Sequence, residues 1–300
     1  MPVLTRRRAA ALFAAAPLLG CGRRQSENAT APERGTLEWA AAGEWRIDPE
    51  RDHWRHPIET LRFWGIEPNM TVLEILPGLG WYSAILAPYL AAGGGRLIVA
   101  SFDPVNGTLA QRETVAAFEA RFMRDQRRYG NIQRVVVPTN EGDPPMARQI
   151  SVDLAILANN THTLMAEGAA ERAFDDVYTA LKYGGVFGIE QHRASSTGEP
   201  DPIAATGYVQ EAYVKKLAQE AGFSFVAAND INANPRDTRE HPFGVWTLPP
   251  SLRTSPLGQP ADPNFDTAPY EEIGESDRMT LKFRKPTRPG GAAAPLGPGG

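Results

Sequence analysis

The chain carries a single cysteine, Cys21, in 300 residues. That excludes an intramolecular disulfide, a cysteine-ligated zinc site and an iron–sulfur cluster. An excess of positive charge is missing too: 31 Lys and Arg stand against 35 Asp and Glu, for a formal charge of -4. A duplex nucleic-acid binder needs a basic face to neutralise phosphates, so no nucleic-acid partner is expected. Arg121, Arg124, Arg127, Arg128 and Arg134 do cluster, but at a spacing that reads as a solvated helix face. Several catalytic signatures are absent. There is no Gly-x-Ser-x-Gly elbow of an α/β-hydrolase, no His-Glu-x-x-His, and no Asn/Asp-Pro-Pro-Tyr. No metal site is expected, and the nearby pair His53 and His56 falls in a Trp-rich helical stretch. Composition is otherwise ordinary for a folded soluble chain, with 42% hydrophobic and 22% charged residues.

The apolar stretch 9–20 is twelve residues long, short of the ~20 that span a bilayer. It follows Arg6, Arg7 and Arg8 and ends in Leu18-Leu19-Gly20-Cys21. Basic start, short apolar core and terminal cysteine resemble a bacterial lipoprotein signal. Residues 1–21 are therefore read as a signal peptide ending at a lipidated Cys21, which implies a periplasmic or cell-envelope location with membrane attachment. Cleavage removes three arginines and no acid, moving the formal charge from -4 to -7. Residues 22–36 read as a tether and 287–300 as a Pro/Gly/Ala-rich tail.

Between them, apolar runs alternate with helical patterns. After an aromatic-rich helical lead-in over 37–64, strands are expected at 71–76, 96–101, 133–137, 152–158, 186–190, 223–228 and 279–284. Helices are expected at 81–90, 109–129, 169–181 and around 209–217. This alternation predicts one α/β domain over 37–286, a Rossmann-like, mostly parallel sheet with helices on both faces. Residues 229–277, rich in Pro and Asp, form a long excursion before the last strand. A connection of that length is expected to be a functional cover or disordered.

The most informative stretch is Val72-Leu73-Glu74-Ile75-Leu76-Pro77-Gly78-Leu79-Gly80-Trp81. An apolar strand carrying an acid runs into a glycine-rich turn and a helix start. It resembles the first motif of class I S-adenosylmethionine-dependent methyltransferases, with Leu76 where the first glycine of that motif stands. Asp103, just past the second strand, Asn140 to Asp143 past the third, Leu181-Lys182-Tyr183-Gly184-Gly185 and Ala221-Gly222-Phe223 fall where the same family has its landmarks. A narrower resemblance joins Arg55-His56-Pro57, Glu74-Ile75, Pro77-Gly78, Gly80-Trp81-Tyr82, His192-Arg193-Ala194, Gly207-Tyr208-Val209, Asn234-Pro235 and Asp277-Arg278. It points to a bacterial family known only as predicted methyltransferases and covers roughly residues 50–286.

The resemblance implies a seven-stranded sheet whose last strand is antiparallel, and S-adenosylmethionine as cofactor. It implies Glu74, Pro77, Gly78, Gly80, Tyr82, Asp103, Asp143 and Asn159 as cofactor-binding residues. Glu74, Gly78, Gly80 and Asp103 are expected to line one pocket, with Asp103 taking the ribose hydroxyls as a two-oxygen acceptor. In a doubly wound sheet ligands sit beyond the carboxyl ends of the strands. His162 follows the fourth strand there, and His192 and Arg193 follow the fifth. His192 is the first choice for a base, His162 the second, and Arg193 an anchor for an acidic acceptor. The expected function is methyl transfer to a small-molecule or cell-envelope acceptor. The alternative is a non-catalytic envelope protein that keeps the fold and binds another ligand, with Leu76 lowering cofactor affinity. An NAD-linked reductase ranks third. Export and a cytosolic cofactor pull in opposite directions, because an exported enzyme would need a supply of S-adenosylmethionine.

Overall fold

A computed structural model describes residues 31–287. The signal-like segment with Cys21 and all of the tail beyond Thr287 lie outside the described residues. Seven strands form one sheet: β1 (Thr71–Ile75), β2 (Arg96–Ser101), β3 (Gln133–Val136), β4 (Val152–Ala158), β5 (Leu181–His192), β6 (Ser224–Asn229) and β7 (Arg278–Arg284). Their order is β3-β2-β1-β4-β5-β7-β6. β1 pairs in parallel with β2 and β4, and β7 pairs antiparallel with both β5 and β6. One strand therefore runs against six, which is the sheet the resemblance implied. The chain switches direction between β1 and β4, and that opens a crevice at their carboxyl ends.

Strand alternation divides the apolar residues between two cores, one on each face of the sheet. Leu73 and Ile75 of β1 pack in one core with Phe174, Val177, Val214 and Leu217. Val72 packs in the other with Leu61, Trp64, Ile85, Phe118 and Phe122. The first core is covered by α8 (Ala170–Ala180) and α9 (Glu211–Glu220); the second by α1 (Leu37–Ala41), α3 (Pro57–Trp64), α4 (Ser83–Gly93) and α5 (Leu109–Phe122). Between α1 and α3 a 3₁₀ turn (Pro49–Arg51) leads straight into the short α2 (Asp52–Arg55). The expected helical lead-in is thus built of short helices. His56 adopts φ 38°, and Pro57 then opens α3. The expected helix over 109–129 also divides, into α5 and α6 (Gln126–Tyr129), because Asp125 caps a new turn through the Arg128 amide. Pro88 sits inside α4 without stopping it.

β5 is longer than expected, running two residues beyond Glu190. After β4, Asn159 turns the chain at φ 55° into α7 (Thr161–Ala166), a helix not anticipated. The excursion after β6 contains a 3₁₀ turn (Gly244–Thr247) and α10 (Ala268–Ile273). Its base is built from buried polar groups. The Tyr208 hydroxyl donates to Asp237, the Asp277 amide donates to Asp237 at 2.8 Å, and the Asn234 side chain donates to the carbonyls of Ile273 and Glu275.

Candidate functional site

Three neighbouring cavities occupy the carboxyl edge of the sheet. The glycine turn after β1 lines the first, about 260 Å³, with Glu74, Pro77, Gly78, Leu79, Tyr82 and Asn159. Alternation along β1 points Glu74 toward α4, where Ser83 Oγ donates to it at 2.5 Å. Burial raises its pKa to about 7, against the pull of Ser83. Leu76 holds φ 50°, Gly78 φ 58° and Gly80 φ 86°. A Cβ on Gly78 would meet nothing within 4 Å, so the turn presents bare backbone to open space. A Cβ on Gly80 would lie 2.3 Å from the Phe122 ring. Gly80 is required for packing and does not line the cavity.

The second cavity, about 900 Å³, lies at the ends of β2 and β3 and is lined by Asp103, Asn106, Gln111, Asn140 and Asp143. Asp103 accepts from the Val105 and Asn106 amides at 2.7 and 3.0 Å and from the Asn106 side chain. The Asn106 amide, more than any other group, holds its pKa below the usual range. Asp143 is likewise lowered, first by the Asn140 amide. The expectation of one pocket is therefore corrected. Glu74 and Gly78 line the first cavity and Asp103 the second.

The third cavity, about 610 Å³, gathers His162, His192 and Ser276 with Ile203, Val245, Trp246 and Pro249. The excursion supplies Val245 to Ser251, so it does cover this edge. Gln191 donates to His162 Nδ1 at 3.2 Å and to the Gly207 carbonyl at 2.9 Å, while its own oxygen accepts from the Thr161 amide. His162 Nδ1 is thereby an acceptor, which puts the proton of the neutral ring on Nε2. His192 Nδ1 lies 2.6 Å from Ser276 Oγ, and the two imidazoles stand 5.6 Å apart. Burial lowers His162 to about 4. Burial, then His162, Arg278, Arg55 and Arg51, holds His192 well below the ordinary range. Both shifts favour the neutral imidazole.

Arg193 is not with them. Neighbouring residues of a strand face opposite ways, and Arg193 turns to the base of the excursion. It pairs there with Asp230 at 3.0 Å and reaches the Arg278 carbonyl. The anchoring role expected of Arg193 is not supported by its position.

The cationic groups at the site come instead from the lead-in. Arg51 and Arg55 line both the first and the third cavity, as do Asn159 and Asn160. Glu275 is buried and takes Arg51 Nε at 2.6 Å, Arg55 Nε at 2.8 Å and Arg278 Nη1 at 2.6 Å. These arginines pull its pKa down to about 2, against the burial that raises it. Arg278 also stands 2.9 Å from Glu190, which accepts from the Tyr82 hydroxyl and the Asn159 amide group. Tyr82 is thus tied into the network, and Asn159 Oδ1 is left buried with no partner among the described residues. Arg55 belongs to the Arg55-His56-Pro57 stretch of the resemblance, which gives it no role, and Arg51 lies outside every motif of the sequence. Their one-turn spacing before a proline-opened helix was the only signal.

No family model matches the chain, and no curated protein matches it in sequence. Solved structures do. The crystal structure of the [4+2]-cyclase SpnF matches at 15% identity with a TM-score of 0.56, over 82% of this chain and 86% of that one. A crystal structure of a SAM-dependent methyltransferase from Aquifex aeolicus matches at 17% identity with a TM-score of 0.49, over 62% and 88%. At such identities the likeness is one of fold. The shared fold is a Rossmann-like, mostly parallel seven-stranded sheet.

Proposed function

We propose that this protein is an S-adenosylmethionine-dependent methyltransferase acting on a small acceptor held beneath the 229–277 excursion. One observation carries the reading. The glycine-turn cavity and the histidine cavity meet at Asn159 and Asn160, so a group bound on the turn faces an acceptor beside His192. The residues present fit the cofactor. Gly78 leaves backbone open to it, and Asn159 Oδ1 is a buried acceptor in want of a donor, which an amino-acid ammonium would supply. Asp103 and Asp143 are ionised acceptors at the adjacent cavity. When bound, the cofactor supplies an electrophilic methyl group. The protein's part is to orient the acceptor beside His192 and exclude water under the excursion.

A second reading, a ligand-binding protein that keeps the fold without methyl transfer, draws on the separation of the Gly78 and Asp103 cavities. The neighbour described as a [4+2]-cyclase agrees with the general point that one fold hosts several chemistries. Isothermal titration of the purified protein with S-adenosylmethionine, S-adenosylhomocysteine and NAD decides between them. Binding of the first two alone supports the proposal; binding of neither refutes it.

A further inference from the structure

We infer that the acceptor is an anion, a carboxylate or an acidic phenol, and that Arg51 and Arg55 receive it at the junction of the two cavities. This rests on the methyltransferase reading above. The observation is geometric. Each arginine spends its Nε on one oxygen of Glu275, which fixes both guanidinium planes. Among the described residues, no group accepts a hydrogen bond from the Nη atoms of either; Asp48 Oδ2 stands 4.0 Å from Arg51 Nη1. Both side chains line both cavities and are only 16% and 14% exposed. Arg55 is also fixed over the Trp81 ring, 4.9 Å from its centroid. Two pre-oriented forks with free Nη–H donors suit an oxyanion, which they bind through short charge-assisted hydrogen bonds.

The charge balance points the same way. Among the buried groups of this network, Arg51, Arg55 and Arg278 face Glu190 and Glu275, an excess of one positive charge that only the half-exposed Asp48, 4.0 Å from Arg51, stands near enough to offset in part. A bound S-adenosylmethionine is itself a net cation, with a sulfonium and an ammonium against one carboxylate. An ammonium-bearing acceptor would add a third like charge in a desolvated site, whereas an anion offsets the excess. The chemistry then balances without a strong base. The acceptor oxygen forms the O–CH₃ bond with its own lone pair, the S–CH₃ bond breaks, and its electron pair returns to sulfur. The acceptor's negative charge and the sulfonium's positive charge vanish together, and no proton has to leave. The weakly basic His162 and His192 are consistent with positioning such an oxygen.

The test uses the full chain with benzoate and phenylacetate as probes and benzamide and phenylacetamide as their neutral isosteres. Binding is measured calorimetrically with and without saturating S-adenosylhomocysteine. Each acid should bind at least ~10-fold more tightly than its amide, and the preference should persist with S-adenosylhomocysteine present. Arg51→Gln and Arg55→Gln should each erase most of the preference, with melting temperature recorded alongside. The wild-type comparison stands even if a variant folds poorly. Equal binding, or no binding of either acid at millimolar concentration, overturns the inference. So does an acid preference that S-adenosylhomocysteine abolishes, which would assign the arginines to the cofactor's own carboxylate. Failure of S-adenosylhomocysteine to bind at all refutes the methyltransferase reading separately, whatever the acids do.

Discussion

Gly78 and Gly80 lie two residues apart in one turn, both at positive φ, yet the structure assigns them different work. Replacing each by alanine separates the two. At Gly78, φ 58° falls in the left-handed region, and the new methyl meets nothing within 4 Å. The cost to folding is the left-handed term alone, roughly 1–2 kcal/mol. At Gly80 the methyl lands 2.3 Å from a ring that is fully buried against Phe118 and Tyr129. Overpacking adds roughly 1–3 kcal/mol to the same left-handed term, so Gly80→Ala should cost about 2–5 kcal/mol. At about 2–4 °C per kcal/mol for a chain of this size, its melting temperature should fall clearly further than that of Gly78→Ala. Ligand binding should show the opposite order. The Gly78 methyl occupies the first cavity and should weaken S-adenosylhomocysteine, while Gly80→Ala, where still folded, should bind nearly as the parent does. Differential scanning fluorimetry and calorimetric titration on the two proteins give both readouts. Equal destabilisation, or undiminished binding to Gly78→Ala, would refute the assignment of the turn.

The remaining expectations are these. Glu74 has a folded pKa of about 7 against ~4.3 unfolded, so the folded state binds the extra proton. Its contribution is present below pH ~4.3 and is lost as pH rises through 7; Glu74→Gln should flatten the melting-temperature profile between pH 5 and 8, and parallel profiles would remove the claim. Glu275, lowered to about 2, acts with the opposite sign, stabilising above pH ~4.3 and failing as pH falls toward 2. Glu275→Gln takes the buried charged partner from Arg51 and Arg55 and leaves Arg278 with Glu190 alone, and should cost ~3–5 kcal/mol in urea unfolding at pH 7; a loss below ~1 kcal/mol contradicts the network. Asp103→Ala should weaken S-adenosylhomocysteine by ~10-fold or more, and unchanged affinity would take Asp103 out of the site. Export through Cys21 predicts a native protein whose first residue is a lipidated Cys21; mass spectrometry finding an intact Met1 refutes it.

The strands were legible because each is an apolar run closed by a turn signal, and β2 and β4 occupy the residues expected of them. The glycine turn was legible because the backbone conformation it needs restricts residue type. What escaped was set by contacts distant in sequence. Arg51 meets Glu275 across 224 residues and Arg55 across 220, and nothing local marks an arginine whose Nη atoms will face a cavity. Arg193 was misplaced for a different reason. Its facing depends on where β5 ends, and the run 186–190 stopped two residues short of the strand's end at His192. The split of the expected single pocket was equally hidden, since motif order along the chain does not say which cavity Gly78 and Asp103 will line.

Leu76 is the one place where the motif and the sequence part, and the structure shows why the turn survives. The backbone there keeps the left-handed form, φ 50°, that a glycine would adopt freely. For leucine that costs roughly 1–2 kcal/mol. Two flanking bonds hold it: the Leu76 amide donates to the Ala100 carbonyl at 2.7 Å, and its carbonyl accepts from the Asn160 side chain at 2.8 Å. The side chain is 3% exposed, in the core that contains Ala100 and Leu157. Burying a leucine contributes about 1.5–3 kcal/mol, enough to offset the strain. A conformation determined from both sides in this way persists without glycine's help. The turn therefore still delivers Gly78 to the cavity with open space ahead of it. Asn160, by bonding the Leu76 carbonyl, ties the end of β4 to the end of β1, where the two proposed binding cavities meet. The lost glycine by itself is therefore no argument for a lost cofactor. Reduced affinity would have to come from the division between the Gly78 and Asp103 cavities.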